Sequence, residues 1–200
     1  PPRPPARPPV AAPVVPCQLP PQVLPFVGRA GELAALDAAL RPEPDRAGAM
    51  VVSGPLGVGK TTLVLRWAHT RIDWFPDGQL FADLSGIGTD AVLDRFLRAL
   101  GETDLPADPA EKVALYRSCT ARRRMLVMLD NACDGDAVAS LLPGGAGCRV
   151  VLTSSDPLDY LVARQGAHRM FLAPLAEEAA RELAGMLVRG TALGPDAVRD

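Results

Sequence analysis

No stretch of this sequence stays apolar for 18 residues, and its N-terminus lacks the apolar core of a secretory leader. A helical membrane span has nothing to form it, and the expected setting is cytoplasmic with no membrane partner. Charge of one sign is also missing: 21 basic residues face 23 acidic ones, for a net charge of −2. That balance excludes coating nucleic acid through bulk charge, so any DNA contact must come from elsewhere. Cys17, Cys119, Cys133 and Cys148 show no C-x-x-C pair and no histidine at zinc spacing, and are expected to be buried free thiols. His69 and His168 stand alone, as structural or surface residues. Lysine is scarce, two against 19 arginines, and the chain opens on proline instead of methionine. The expectation is a piece of a longer protein encoded by a GC-rich genome.

Proline is abundant at one end, supplying 11 of the first 25 residues. Residues 1–25 therefore lack donors for a sheet and cannot remain helical, so they are expected to form a disordered, extended linker of polyproline character. PPRP and PVVP within it also fit a P-x-x-P ligand, although a plain spacer is the simpler reading.

The chemistry begins at SGPLGVGKTTL (53–63), which fits G-x-x-x-x-G-K-[ST] with Gly54, Gly59, Lys60 and Thr61 in place. Gly54, Gly57 and Gly59 permit backbone angles that a Cβ forbids, so successive N–H groups can turn inward as an anion nest. The following helix adds its positive end. Lys60 is the point charge for the β- and γ-phosphates, and the Thr61 hydroxyl is a natural ligand for Mg²⁺. AMVVS (49–53) before the loop reads as a buried strand. Leu63, Val64, Trp67 and Ala68 after it recur at helical spacing.

Elsewhere, Leu33, Leu36 and Leu40 mark a helix before the first strand, and GQLFADL (78–84) a second strand. Val92 to Leu100 marks a helix, and DPAE starts another, with Asp108 as N-cap, Pro109 as first residue and Glu111 completing a capping box. MLVMLDNA (125–132) is an apolar strand ending in Asp130, an acid placed to complete the Mg²⁺ site. The arginines at 122–124 before it suit a helix C-terminus. CRVVLTSS (148–155) is a further strand, Asp156-Pro157 can start a short helix, and RMFL (169–172) forms a brief strand. Leu175, Ala179, Leu183 and Leu187 stripe a helix that ends near Gly190. Strands alternating with helices predict an α/β fold, a P-loop NTPase three-layer sandwich with a mainly parallel sheet.

FVGR, GPLGVGKTTL, WFPDGQLFADL, MLVMLDNA, LLPGGAGCRVVLTSS and LAPLAEEAARELAGML together resemble, in sequence order, the NB-ARC ATPase module of the STAND class. More narrowly, the chain is similar to that module in SARP-type transcription factors of actinobacteria. The resemblance implies a latch in which ADP holds a closed state and ATP an open, self-associating one, with DNA and the transcription machinery reached through flanking domains. It places Val27, Gly28 and Arg29 near adenine and ribose, Gly54 to Thr62 (Gly57, Val58, Gly59, Lys60, Thr61 and Thr62 among them) around the phosphates, and Asp130 at the metal. It also implies a boundary at residue 26, a nucleotide-binding domain over 26–195 without its lid, and the start of another segment at 196–200.

Two positions depart from that family's pattern. Asn131 stands where a second acid is common, and an amide can orient water but cannot take its proton. Ser155 stands where an arginine would reach the γ-phosphate. With Lys60, Asp130 and Asn131 as the residues of the chemistry, slow ATP hydrolysis is expected. A P-loop small-molecule kinase or ordinary ATPase is the alternative and would need an acceptor pocket and a lid. A hydrolysis-dead nucleotide-binding scaffold is the other.

Overall fold

The computed structural model describes residues 14–43 and 48–191. Residues 1–13 of the expected linker, and everything from 192 on, lie outside the described residues. Five strands form one sheet: β1 (Gly48–Ser53), β2 (Gln79–Asp83), β3 (Leu126–Asp130), β4 (Arg149–Ser154) and β5 (His168–Phe171). Their spatial order is β2-β3-β4-β1-β5, and every pairing is parallel. Burial follows that order. All residues of central β3 and β4 are buried, whereas edge strand β5 is mostly exposed.

Alternation along the strands sends side chains to both faces, and helices cover each. On one face α1 (Ala30–Leu40) and α2 (Lys60–Thr70) press Leu36, Leu40, Leu63 and Trp67 against Met50, Val52, Met128 and Val151. On the other, α3 (Thr89–Ala99), α4 (Pro109–Thr120), α5 (Gly135–Ala139) and α6 (Asp159–Gln165) bury residues such as Phe96, Tyr116, Val138 and Leu161 against Val51, Val127, Leu129 and Leu152. Helix α7 (Glu177–Thr191) follows β5. This is the three-layer parallel architecture expected of a P-loop NTPase.

Local chemistry sets the helix starts. Asp108 Oδ1 accepts from the Glu111 N–H at 3.0 Å with Pro109 at the first position, as the DPAE signal required. Asp134 caps α5, a helix too short to announce itself by periodicity. The helix expected at Asp156-Pro157 starts three residues later at Asp159. Asp156 Oδ1 takes the Leu158 N–H at 2.9 Å in a local turn, and Leu158 adopts a left-handed φ of 50°.

The described part of the proline-rich segment departs from a free spacer. Pro16 O accepts from the Gln79 N–H at 2.7 Å, and Gln18 N–H donates to Gln79 O at 3.1 Å, so this stretch lies along the open edge of β2. Prolines lack donors but keep acceptors, and Gln18 supplies the missing N–H. Gln18 Oε1 takes the Phe81 N–H, His69 Nε2 meets Pro20 O at 2.8 Å, and Arg66 donates to Gln22 Oε1 at 2.9 Å. Arg123 donates to Val14 O and so ties the segment to the loop after α4. The four thiols are free, but of them only Cys148 is buried, since Cys17 and Cys133 lie on exposed connections. Burial and the nearby Glu102 push the partly buried Cys119 thiol up to about 11.

Candidate nucleotide site

Parallel strands deliver their C-terminal ends to one side of the sheet, and the expected residues gather there. The loop after β1 is pinned at its start, where the Leu172 N–H donates to Ser53 O at 2.7 Å. Gly54 is required by crowding, because a Cβ there would stand 2.5 Å from Leu172 O. Gly57 and Gly59 are required by conformation, with φ of 76° and 95° and open space where a side chain would go. Gly59 is the N-cap of α2, so the loop ends on free N–H groups at a helix start.

Lys60 is 7% exposed, and its ammonium donates to Gly54 O and Pro55 O at 2.9 Å each. A buried cation held over glycine-shaped backbone, on the first residue of a helix, is what a polyphosphate requires. Thr61, in the first turn of α2, donates to Asp130 Oδ1 at 2.8 Å across 69 residues of sequence. The hydroxyl and the carboxylate are hard oxygen donors, a set suited to Mg²⁺. The strand between them also contributes, since Thr153 of β4 donates to Asp130 Oδ1 and accepts from the Asn131 N–H at 3.0 Å.

Asn131 has a left-handed φ of 56° and donates from Nδ2 to Asp83 Oδ1 at 3.0 Å and to Asp130 Oδ2 at 3.5 Å. Asp83 and Asp130 are register partners at the ends of β2 and β3. The Asn131 amide, helped by the Ser85 N–H at 2.9 Å, holds the Asp83 carboxyl below the usual carboxylate range. Neither Asp83 nor Thr153 was among the expected site residues. The strand motifs FADL and LTSS were visible, but nothing local says which strands become neighbours.

Beside the loop is a cavity of about 290 Å³ lined by Pro25, Phe26, Val27, Val58, Thr62 and Leu175, with Arg29 at its wall. Its mostly apolar lining suits a flat heteroaromatic base. Arg29 is 7% exposed and donates to Ala173 O at 2.8 Å and Val58 O at 3.5 Å, so it braces the loop against the β5–α7 connection. Gly28 lies outside the lining. Its φ is 67°, and it faces α7, where a Cβ would collide with Ala179. Leu183 and Leu187 of α7 complete the cavity wall, and Ser155 is exposed at the end of β4.

Known proteins resemble this chain in sequence and in fold. The family model described as AAA ATPase domain matches residues 25–187. Regulatory protein AfsR of Streptomyces griseus is 40% identical over 179 residues, covering 86% of this chain and 18% of that protein. Regulatory protein AfsR of Streptomyces coelicolor is 43% identical over 171 residues, covering 79% of the chain and 17% of the relative. The chain thus spans less than a fifth of the length of these curated relatives. The crystal structure of Cdc6p from Pyrobaculum aerophilum shares the fold with a TM-score of 0.62 at 14% identity, over 86% of this chain and 52% of that one.

Proposed function

The chain belongs to the AAA ATPase domain family, and from that footing we propose that it is the nucleotide-operated switch core of a multidomain transcriptional regulator. The observation that carries this reading is one constellation: the glycine-shaped loop, the buried Lys60 ammonium, and the Thr61–Asp130 pair at the strand ends. In it, Gly54, Gly57, Gly59 and Lys60 hold the phosphates of ATP or ADP, Val27, Val58 and Thr62 receive the base and ribose, and Thr61 with Asp130 hold Mg²⁺. Bound there, Mg²⁺ supplies charge neutralisation to the phosphates. Gly28 and Arg29 shape the cavity by packing against α7 and bracing the loop.

The regulatory half of the proposal draws on the similarity to the regulatory protein AfsR. The finer reading is an NB-ARC, STAND-type switch in the cytoplasm. ADP holds it closed, ATP opens it to self-association, and hydrolysis is slow. DNA and the transcription machinery are reached through flanking domains. Exposed Ser155 and the amide at Asn131 support slow turnover, since neither adds charge or a proton acceptor at the γ-phosphate.

The test is titration calorimetry of ATP and ADP into the folded chain and its Lys60→Ala variant. Removing the buried cation is expected to weaken both nucleotides at least about tenfold, or about 1.4 kcal/mol. Equal affinity in the two proteins would refute the phosphate-loop reading.

A further inference from the structure

Hydrolysis needs an acceptor for the proton of the attacking water, and the residue after Asp130 cannot be one because Asn131 carries an amide. The neighbouring strand supplies a carboxylate instead. Parallel register sets Asp83 of β2 level with Asp130 of β3. The left-handed backbone of Asn131 brings its Nδ2 within 3.0 Å of Asp83 Oδ1 and 3.5 Å of Asp130 Oδ2, so one amide spans two carboxylates. Without that donor, the two like charges at the strand ends would repel.

Asp83 also has the other attributes of a working carboxylate. It is exposed, where water can reach it. Its Oδ1 is fixed by the Asn131 amide and the Ser85 N–H, and the Ser85 side chain also bonds the carboxylate. The side chain is thus oriented by fixed donors while remaining exposed to solvent.

We propose that Asp83 is the proton-accepting carboxylate of ATP hydrolysis in this chain and that Asn131 is its positioning residue. Acid and amide thereby occupy two strands in place of two consecutive acids on one. The inference rests on the ATP-binding reading above. In the step it describes, the water oxygen bonds to the γ-phosphorus while the bond to the β,γ-bridging oxygen breaks. That electron pair leaves on ADP, and the water's proton passes to Asp83 and then to solvent.

The experiment compares the intact chain with Asp83→Asn and with the swapped pair Asp83→Asn/Asn131→Asp. ATP affinity is read by calorimetry and phosphate release by single turnover. Asp83→Asn is expected to keep ATP affinity within about twofold while phosphate release falls on the order of 10²-fold. The swapped pair, with its carboxylate back beside the same amide, is expected to recover at least tenfold of that loss. A merely structural Asp83 would not give this separation of affinity from rate, nor the rescue.

Failure of the parent chain to bind ATP would overturn the functional reading and this inference together. Retained binding with equal phosphate release in Asp83→Asn would overturn the inference alone. So would a parent chain that binds ATP and releases no phosphate, or a swapped pair no faster than Asp83→Asn.

Discussion

At Gly54 the loop backbone meets Leu172 O so closely that a Cβ would sit at 2.5 Å, and φ is 154°. Gly54→Ala is therefore expected to lower stability by about 1–3 kcal/mol and to weaken ATP binding along with it, as read by urea unfolding and calorimetry. Unchanged stability would mean that the loop does not rest on Leu172, just after β5, as described. Asn131→Asp alone carries the opposite lesson from its swap. It replaces the donor 3.0 Å from Asp83 with a second charge, so it is expected not to accelerate phosphate release despite adding an acid. Gly54, Lys60, Thr61 and Asp130 were legible because spacing within a motif carries their meaning. Asp83 and Thr153 were not, because their roles come from register between strands 47 and 23 residues apart from Asp130 in sequence.

Among the elements, strands and long helices could be read from the chain, since buried runs such as MLVMLD and stripes such as Leu63, Val64, Trp67 and Ala68 report their own environment. The proline-rich segment could not, because its docking depends on the open edge of β2, which no local pattern reveals. Gly78 marks the contact: a Cβ there would lie 2.4 Å from Pro16 O. The segment also supplies Val23, Leu24 and Pro25 to the cavity wall, so its anchoring and the base site are mechanically continuous. Gln18→Ala removes the acceptor for the Phe81 N–H and is expected to speed hydrogen exchange at Phe81 several-fold, while amides of β4 keep their protection. Unaltered exchange at Phe81 would contradict the docked edge.

For the whole molecule, stability should depend on acid in a direction set by Asp37. Its carboxylate takes hydrogen bonds from Arg71 at 2.6 and 2.7 Å and from Trp67 Nε1 at 3.0 Å, and so joins α1 to α2. Arg71 above all holds the Asp37 carboxyl below its ordinary value, against the opposing effect of burial. A folded-state value lower than the unfolded one gives stabilisation that is complete above the ordinary carboxylate range and lost as pH falls through the lowered value. Melting temperatures of the parent chain and Asp37→Asn are thus expected to differ at neutral pH and to converge as pH falls below the ordinary carboxylate range. A gap that widened on acidification would reverse the assigned sign.

The same molecule is organised around one side of its sheet, where β1 brings the loop, β3 the acid, β4 the buttressing Thr153 and β2 the second carboxylate. The most direct measurement of that account is nucleotide affinity by calorimetry, with Mg²⁺ and with chelator, in the parent chain and in Asp130→Asn. The account expects one nucleotide per chain, binding strengthened by Mg²⁺ in the parent, and no strengthening in the variant, whose Mg²⁺-free affinity is largely kept. Equal strengthening by Mg²⁺ in both proteins, or no nucleotide bound by the parent chain, would contradict it.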